Sequence, residues 1–277
     1  MNKLHKITPV ALLLCAASIA SCSSDGKDEP TPAAPVEPTT GNVFTNGIPT
    51  TVEGSTLTTN SKGQVIKIES GFKTYTIEYG NFSYEAESFD AKMSSNVDEY
   101  GFTDVYFRIN EQGFISYALQ VETDTQGDEI LKVEKDIYEF KYDSNGLMTY
   151  VYNGDDDENF TITYTDGNLS KVEEREEDGD YVESTFFYTN DVVKTPYENK
   201  GNIMLFDFWG INIDNLEILY YAGLLGKSTK NLPVGRDKVY NGEKDSYRFN
   251  WKFNDDGFPT KFWVNDREYE SFDLTWK

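Results

Sequence analysis

An all-β fold is predicted, a curled antiparallel sheet or half-barrel of β-hairpins, and three observations predict it. Short runs alternate apolar and polar residues with a period of two, as in Tyr247-Arg248-Phe249-Asn250-Trp251-Lys252-Phe253, Phe160-Thr161-Ile162-Thr163-Tyr164 and Phe272-Asp273-Leu274-Thr275-Trp276. The runs are separated by turns of one form, Asn/Asp-x-x-Gly, at Asn60–Gly63, Asn110–Gly113, Asp143–Gly146 and Asn254–Gly257, with Asp166-Gly167-Asn168 as a shorter relative. In such turns the Asn or Asp oxygen caps the backbone and Gly supplies a positive φ. The 18 Phe, 19 Tyr and 4 Trp of the 277 residues all fall at or after Phe44, so the core-forming area begins there. One packed face and one wet face per strand is the antiparallel pattern. The turn glycines are unevenly spaced, which disfavours a solenoid or propeller of fixed period.

The chain starts with Lys3 and Lys6 ahead of a short apolar stretch, Val10 to Ala17, too short to span a bilayer. Ile19-Ala20-Ser21-Cys22 follows, and it resembles the lipobox of bacterial lipoproteins. The resemblance implies cleavage between Ser21 and Cys22 and lipidation of the Cys22 thiol, with acyl chains contributing about 0.8 kcal/mol per buried CH₂. The competing reading is an ordinary secreted protein with a chance Cys. Residues 1–21 are thus expected to be a signal peptide.

Residues 22–43 read as a tether. They hold Asp25, Asp28 and Glu29, and Pro30, Pro32, Pro35 and Pro38 among Thr, Ala and Glu, a composition that favours extended polyproline II. An acidic tract after the lipidated Cys resembles the export signal of surface lipoproteins of Bacteroidota. The expected location is therefore the outer membrane, lipid-anchored and surface-exposed, with the periplasmic face as the alternative. Residues 44–277 read as a single β domain.

One segment breaks the β rhythm. Between Ile203 and Gly226, Leu216, Leu219, Tyr220 and Gly223 fall at helical spacing, Asp214 or Asn215 is a candidate cap and Gly226 a candidate stop. A short helical insert over a sheet edge or an open end is expected.

The lipobox-like run, the acidic tether, the Tyr142-Asp143-x-x-Gly146-Leu147 hairpin type, the insert and the Gly226–Pro233 run together resemble a family of gut-type Bacteroidota lipoproteins. Their domain, of unknown function, has a porin-like fold. The hairpins are also similar to the YD-type repeats of cell-surface proteins. The resemblance covers most of residues 50–277 and implies the curled sheet or half-barrel. It implies no activity and carries no functional residues across.

Composition closes many chemistries. Beyond the leader there is no His, one Cys, and a net charge of −25, from 23 basic and 48 acidic side chains. That excludes a Ser-His-Asp triad, a Cys-His dyad, a His- or Cys-built metal site and an intramolecular disulfide. It also argues against nucleic acid. Gly223-Leu-Leu-Gly226-Lys227-Ser228 fails as a P-loop because Tyr221 stands where the first Gly must be. The contiguous acids Asp155–Glu158 and Glu173–Asp180 lack the spacing of a calcium loop and read as solvated hairpin tips. No cofactor or metal is expected.

Carboxylate chemistry stays open. Asp207, Asp214 and Glu217 are the best-placed acids, among Phe206, Phe208, Trp209 and Tyr220. Trp209, Trp251, Trp263 and Trp276 are candidates for a sugar platform, with core packing the competing reading. Trp263 stands out because Phe262 and Val264 occupy the opposite face of its strand. The ligand-binding candidates are Trp209, Trp263, Asp207 and Tyr220, with no catalytic residue assigned.

A transmembrane barrel is disfavoured. Lys67, Glu69, Glu139 and Lys141 would meet lipid, at about 2–4 kcal/mol for each Lys at the midplane, and the chain ends in Trp276-Lys277. Three functional readings remain: a non-catalytic binding module for a glycan, peptide or envelope partner, a carboxylate-dependent extracellular glycan hydrolase, and a purely structural envelope protein. The expected partners are the membrane, through the acyl chains, and a glycan or envelope protein.

Overall fold

In a computed structural model, residues 36–47, 49–52, 55–96, 101–126, 129–176 and 179–276 are described. The expected signal peptide, with Ser21, and Cys22 lie outside them. Among the described residues, sixteen strands close into one antiparallel barrel. β1 (Pro49–Val52) and β2 (Ser55–Thr59) are followed round the ring by β3 (Val65–Ser70), β4 (Lys73–Tyr84), β5 (Glu87–Ser95), β6 (Gly101–Ile109), β7 (Ile115–Gln126) and β8 (Glu129–Tyr142). Next come β9 (Met148–Asn153), β10 (Glu158–Thr165), β11 (Asn168–Glu176) and β12 (Tyr181–Phe187). An excursion then carries the short pair β13 (Tyr197–Glu198) and β14 (Asn231–Leu232), a helical turn α1 (Phe206–Trp209) and a 3-10 turn over Asp214–Leu219. The ring resumes at β15 (Gly235–Tyr240), β16 (Glu243–Phe253), β17 (Pro259–Val264) and β18 (Phe272–Trp276), and β18 pairs with β1.

The expectation of an open sheet or half-barrel is corrected: the ring is closed. Closure removes the free edges that a curled sheet would leave at β1 and β18. The insert, expected over a sheet edge or an open end, covers no edge: it closes one end and extends inside the ring. Trp209, Leu216, Leu219 and Tyr220 pack in one cluster with the inward residues of the strands, among them Ile68, Phe107, Tyr138, Phe160 and Phe262. A barrel of this size holds an aqueous channel in porins; here apolar side chains of the excursion fill it. The helix expected to run toward Gly226 stops at Leu219, and its cap is not an Asp or Asn side chain: Ile213 is the capping position and Asp214 has φ +48°.

Strand alternation runs inside-apolar, outside-polar. On β10, Phe160 and Ile162 are buried while Thr161 and Thr163 are exposed. On β3, Ile68 faces the lumen, and Lys67 and Glu69 pair outside at 2.7 Å. Lys92–Asp104 (2.9 Å), Lys171–Glu173 (3.0 Å) and Lys244–Asp237 (2.7 Å) add further ion pairs on that wall.

The turns behave as their composition requires. Asn60 Oδ1 accepts the Lys62 and Gln64 N–H groups, Asn110 Oδ1 those of Gln112 and Phe114, and Asp143 Oδ1 those of Asn145 and Leu147. Gly63, Gly113, Gly146 and Gly257 all have φ between +80° and +86°. Because strands alternate direction, these turns share one end of the barrel. The excursion forms a floor there: Lys227 N–H donates to Gly146 O, Lys230 N–H to Gly167 O, and Ile115 N–H to Leu224 O. Gly226 (φ +80°) is obligatory in that floor, since a Cβ would sit 2.7 Å from Gly146 O. Residues before Phe44 join it: Thr40 is buried and its N–H donates to Gly63 O.

A second, smaller cluster lies on the outer wall. The register of β4 against β5 shifts between Tyr79 and Phe82, and the hairpin tip beyond it leans across β6 and β7. Phe89 and Tyr84 pack on Tyr106, Glu87 pairs with Arg108, and Glu85 reaches Lys135 on β8.

Candidate functional site

A cleft of about 570 Å³ opens on the outer wall, within the size range of small-ligand sites. It arises where the excursion leaves and rejoins the ring. β12 ends at Phe187 and β15 starts at Gly235, and these two residues pair. Gly235 in turn pairs with Arg248 on β16, so a residue with no side chain stands between Phe187 and Arg248. Asn250 and Trp263, paired across β16 and β17, form the far wall. The loop 189–193 stands over the near side, held by Asn190, whose Oδ1 accepts the Val192 and Val193 N–H groups at 2.8 and 2.7 Å.

The cleft is aromatic with polar edges. Phe187 is 41 % exposed and Trp263 half-buried, with Lys252 5.4 Å above the indole ring. Arg248 pairs with Asp266, Asn250 Nδ2 donates to Asn265 O at 2.8 Å, and Asp191 lies on the loop.

Of the residues singled out in sequence, Trp263 and the buried Trp251 line this cleft. Trp209 does not: it is 1 % exposed, inside the plug, and its indole N–H has no acceptor. Tyr220 is fully buried; its hydroxyl donates to Asn202 O and accepts from Asn202 Nδ2. Asp207 is exposed on α1. The aromatics of the segment 203–226, candidates for a ligand platform with core packing as the competing reading, fill the lumen. Phe187, Asn190, Arg248 and Asn250 were missed. Their strands are about 60 residues apart, and only the β12–β15 pairing joins them.

A second site lies at the lumen mouth opposite the floor. Asp214, at the top of the plug, accepts the Tyr138 hydroxyl at 2.9 Å and Asn153 Nδ2 at 3.2 Å. Carboxylate oxygens of Asp155, Asp156 and Asp214 lie within 4.8 Å of one another, as do those of Glu158, Glu174 and Glu176. These are the oxygens that a cation would use. Burial, then Glu174 and Asp156, push the Glu158 carboxyl up to about 7. Burial likewise raises Glu174, Glu122, Asp136 and Asp155. The tips read as merely solvated thus contribute inward-facing acids as well. Glu217 is elsewhere, beside an apolar cavity of about 30 Å³, room for a water and no substrate.

Comparison with known proteins adds the fold family. A family model described as a domain of unknown function (DUF4595) with porin-like fold matches residues 56–261. A porin-like protein from Bacteroides uniformis superposes with a TM-score of 0.52 at 14% identity, covering 80% of this chain and 90% of that one. A porin-like protein from Bacteroides vulgatus gives 0.48 at 14% identity, covering 80% and 93%. No curated protein matches the chain in sequence.

Proposed function

Because the chain belongs to the family of domains of unknown function with porin-like fold, and a fold does not imply an activity, we propose a function from its site: a lipid-anchored envelope lipoprotein that binds a glycan without turning it over. The observation that carries this reading is the outer-wall cleft, in which Trp263 and Phe187 offer ring surface and Asn190, Asp191, Arg248 and Asn250 offer hydrogen bonds at its rim. Rings against the apolar faces of a sugar, with polar groups fixing its hydroxyls, is a balanced recognition set. A filled lumen and a charged outer wall fit a binding module better than a pore.

Anchoring through Cys22 and display at the cell surface complete the proposal. Their support is the Ile19–Cys22 run and the acidic tether. Labelled palmitate should enter the wild-type protein and not Cys22→Ser. Protease added to intact cells should remove the domain; survival until the outer membrane is opened would place it on the periplasmic face.

The cleft is tested with the full-length protein on a glycan array, followed by titration of any hit. Trp263→Ala and Phe187→Ala should each weaken binding at least tenfold with thermal stability retained. Undiminished binding by both variants would remove the cleft from the account.

A second reading, carboxylate-dependent hydrolysis at the mouth, is favoured by one observation. Glu158 titrates near neutrality beside Glu174, as a general acid must. Release of reducing sugar that disappears in Glu158→Gln would establish it in place of simple binding.

A further inference from the structure

β8 is longer than its neighbour on one side. β7 pairs with it from Gln126↔Glu129 to Tyr117↔Glu139, with a one-residue bulge at Leu131. β9 pairs with it only from Tyr138↔Asn153 onward. From Ile130 to Asp136 no described strand covers the second edge. The direction of its backbone groups follows from one bond: Gly154 N–H donates to Ile137 O at 2.9 Å, so Ile137 turns its carbonyl to the β9 side. By the two-residue repeat of a strand, Val133 and Lys135 present their N–H and C=O groups to the same open side, up to the bulge at Leu131.

The two faces beside this edge differ in chemistry. One face continues into the mouth: Glu134 and Asp136 on β8 stand opposite Glu122 and Gln120 on β7. Burial raises the Glu122 carboxyl and Asp155 and Asp136 raise it further, against Lys73; Lys132 pairs with Glu134, and acids outnumber these two cations. The other face carries Val133 and Ile137, 46 % and 37 % exposed beside the buried Leu119 and Val121, with Lys135 between them paired to Glu85.

We propose that this edge accepts an added β-strand, an extended segment of another polypeptide whose side chains alternate between apolar and Lys or Arg. The apolar set would extend the Val133 and Ile137 face, and the basic set would meet the mouth carboxylates. Main-chain bonds supply affinity and alternation supplies selectivity, as in strand-addition complexes. A second copy of this chain is the wrong occupant. Antiparallel pairing of two β8 edges would bring two acid-rimmed mouths together, each on a chain of net charge −23.

The test uses the full-length protein and a nine-residue peptide of alternating Val and Lys, acetylated and amidated. Controls are a Val-Glu peptide and a Val-Lys peptide of the same composition in two blocks. The alternating Val-Lys peptide should bind at least tenfold tighter than either control and slow hydrogen exchange at the Val133 and Lys135 amides. Val133→Pro should cut that affinity at least tenfold, since it deletes a donor on the open side and spares the ladder to β7. The double variant Glu134→Lys, Asp136→Lys should exchange the preference of the protein from the Val-Lys to the Val-Glu peptide. Equal affinity for the alternating and block peptides would overturn the proposal in favour of plain charge attraction. So would binding untouched by the double variant, or sedimentation showing that the peptide-free protein self-associates and that Val133→Pro makes it monomeric.

Discussion

Glu158 offers the sharpest physical test of the mouth. It starts β10 with its side chain on the lumen side, paired across to Glu176 and within 4.8 Å of Glu174 and Glu176 oxygens. Its carboxyl titrates at about 7, against an ordinary value of 4.5. A folded-state value raised above the unfolded one means that stability is intact below pH 4.5 and is lost as pH rises through 7. The gap sets a ceiling of about 3.4 kcal/mol at 1.36 kcal/mol per pH unit. The mouth is open to water, so screening reduces this to about 1–2 kcal/mol. Glu158→Gln keeps the Asn212 contact (3.4 Å) and deletes the charge. Urea unfolding should find the variant about 1–2 kcal/mol more stable than wild type at pH 8 and within about 0.5 kcal/mol of it at pH 4.5. Glu122, Glu174, Asp136 and Asp155 move in the same direction, so wild type itself should be more stable at pH 5 than at pH 8. Equal stability of variant and wild type at pH 8, or a wild type that gains stability steadily from pH 5 to 8, would refute the reasoning.

Four further outcomes are expected. Trp209→Ala should cost about 3–5 kcal/mol by emptying the plug, whereas Trp209→Phe should cost under about 2, because the buried indole N–H it removes has no acceptor; denaturant titration separates them. Trp263→Ala should change stability by less than about 1 kcal/mol, since its ring lines a cleft and not the lumen. Asn254→Ala should cost about 1 kcal/mol through loss of the bond from Phe258 N–H, read from thermal unfolding. Removing Glu85 and Glu87 together should barely alter global stability but should speed amide exchange at residues 82–89, because exposed ion pairs with Lys135 and Arg108 pin that hairpin to the wall.

How far the sequence could be read depended on the range of the interaction. The Tyr247–Phe253 alternation and the Asn110–Gly113 turn are set by neighbours within a few residues, and both stand in the structure as the pattern implies. Leu216, Leu219 and Tyr220 were legible as apolar, but not as a plug. Their partners Ile68, Phe107 and Phe160 are dozens of residues away, and an apolar stripe looks the same whether it faces an edge or a lumen. Trp263 was recoverable from strand parity alone. Arg248 and Asn250 carried the same parity signal, yet nothing local distinguished them from ordinary outward residues until loop 189–193 stood beside them.

The sequence by itself determined the β class, the hairpin turns, and the chemistries that a chain with no His and one Cys beyond residue 21 cannot perform. It also presented Ile19–Cys22 as the place to look for an anchor. These follow from local periodicity, turn stereochemistry and residue inventory. Only the tertiary structure decided that the sheet closes, that the excursion fills it, and that acids of separate hairpins converge on one mouth while an aromatic cleft opens on the wall. Those outcomes depend on register and on pairings such as β1 with β18 and β12 with β15. They join residues whose separation along the chain leaves no mark in any short window.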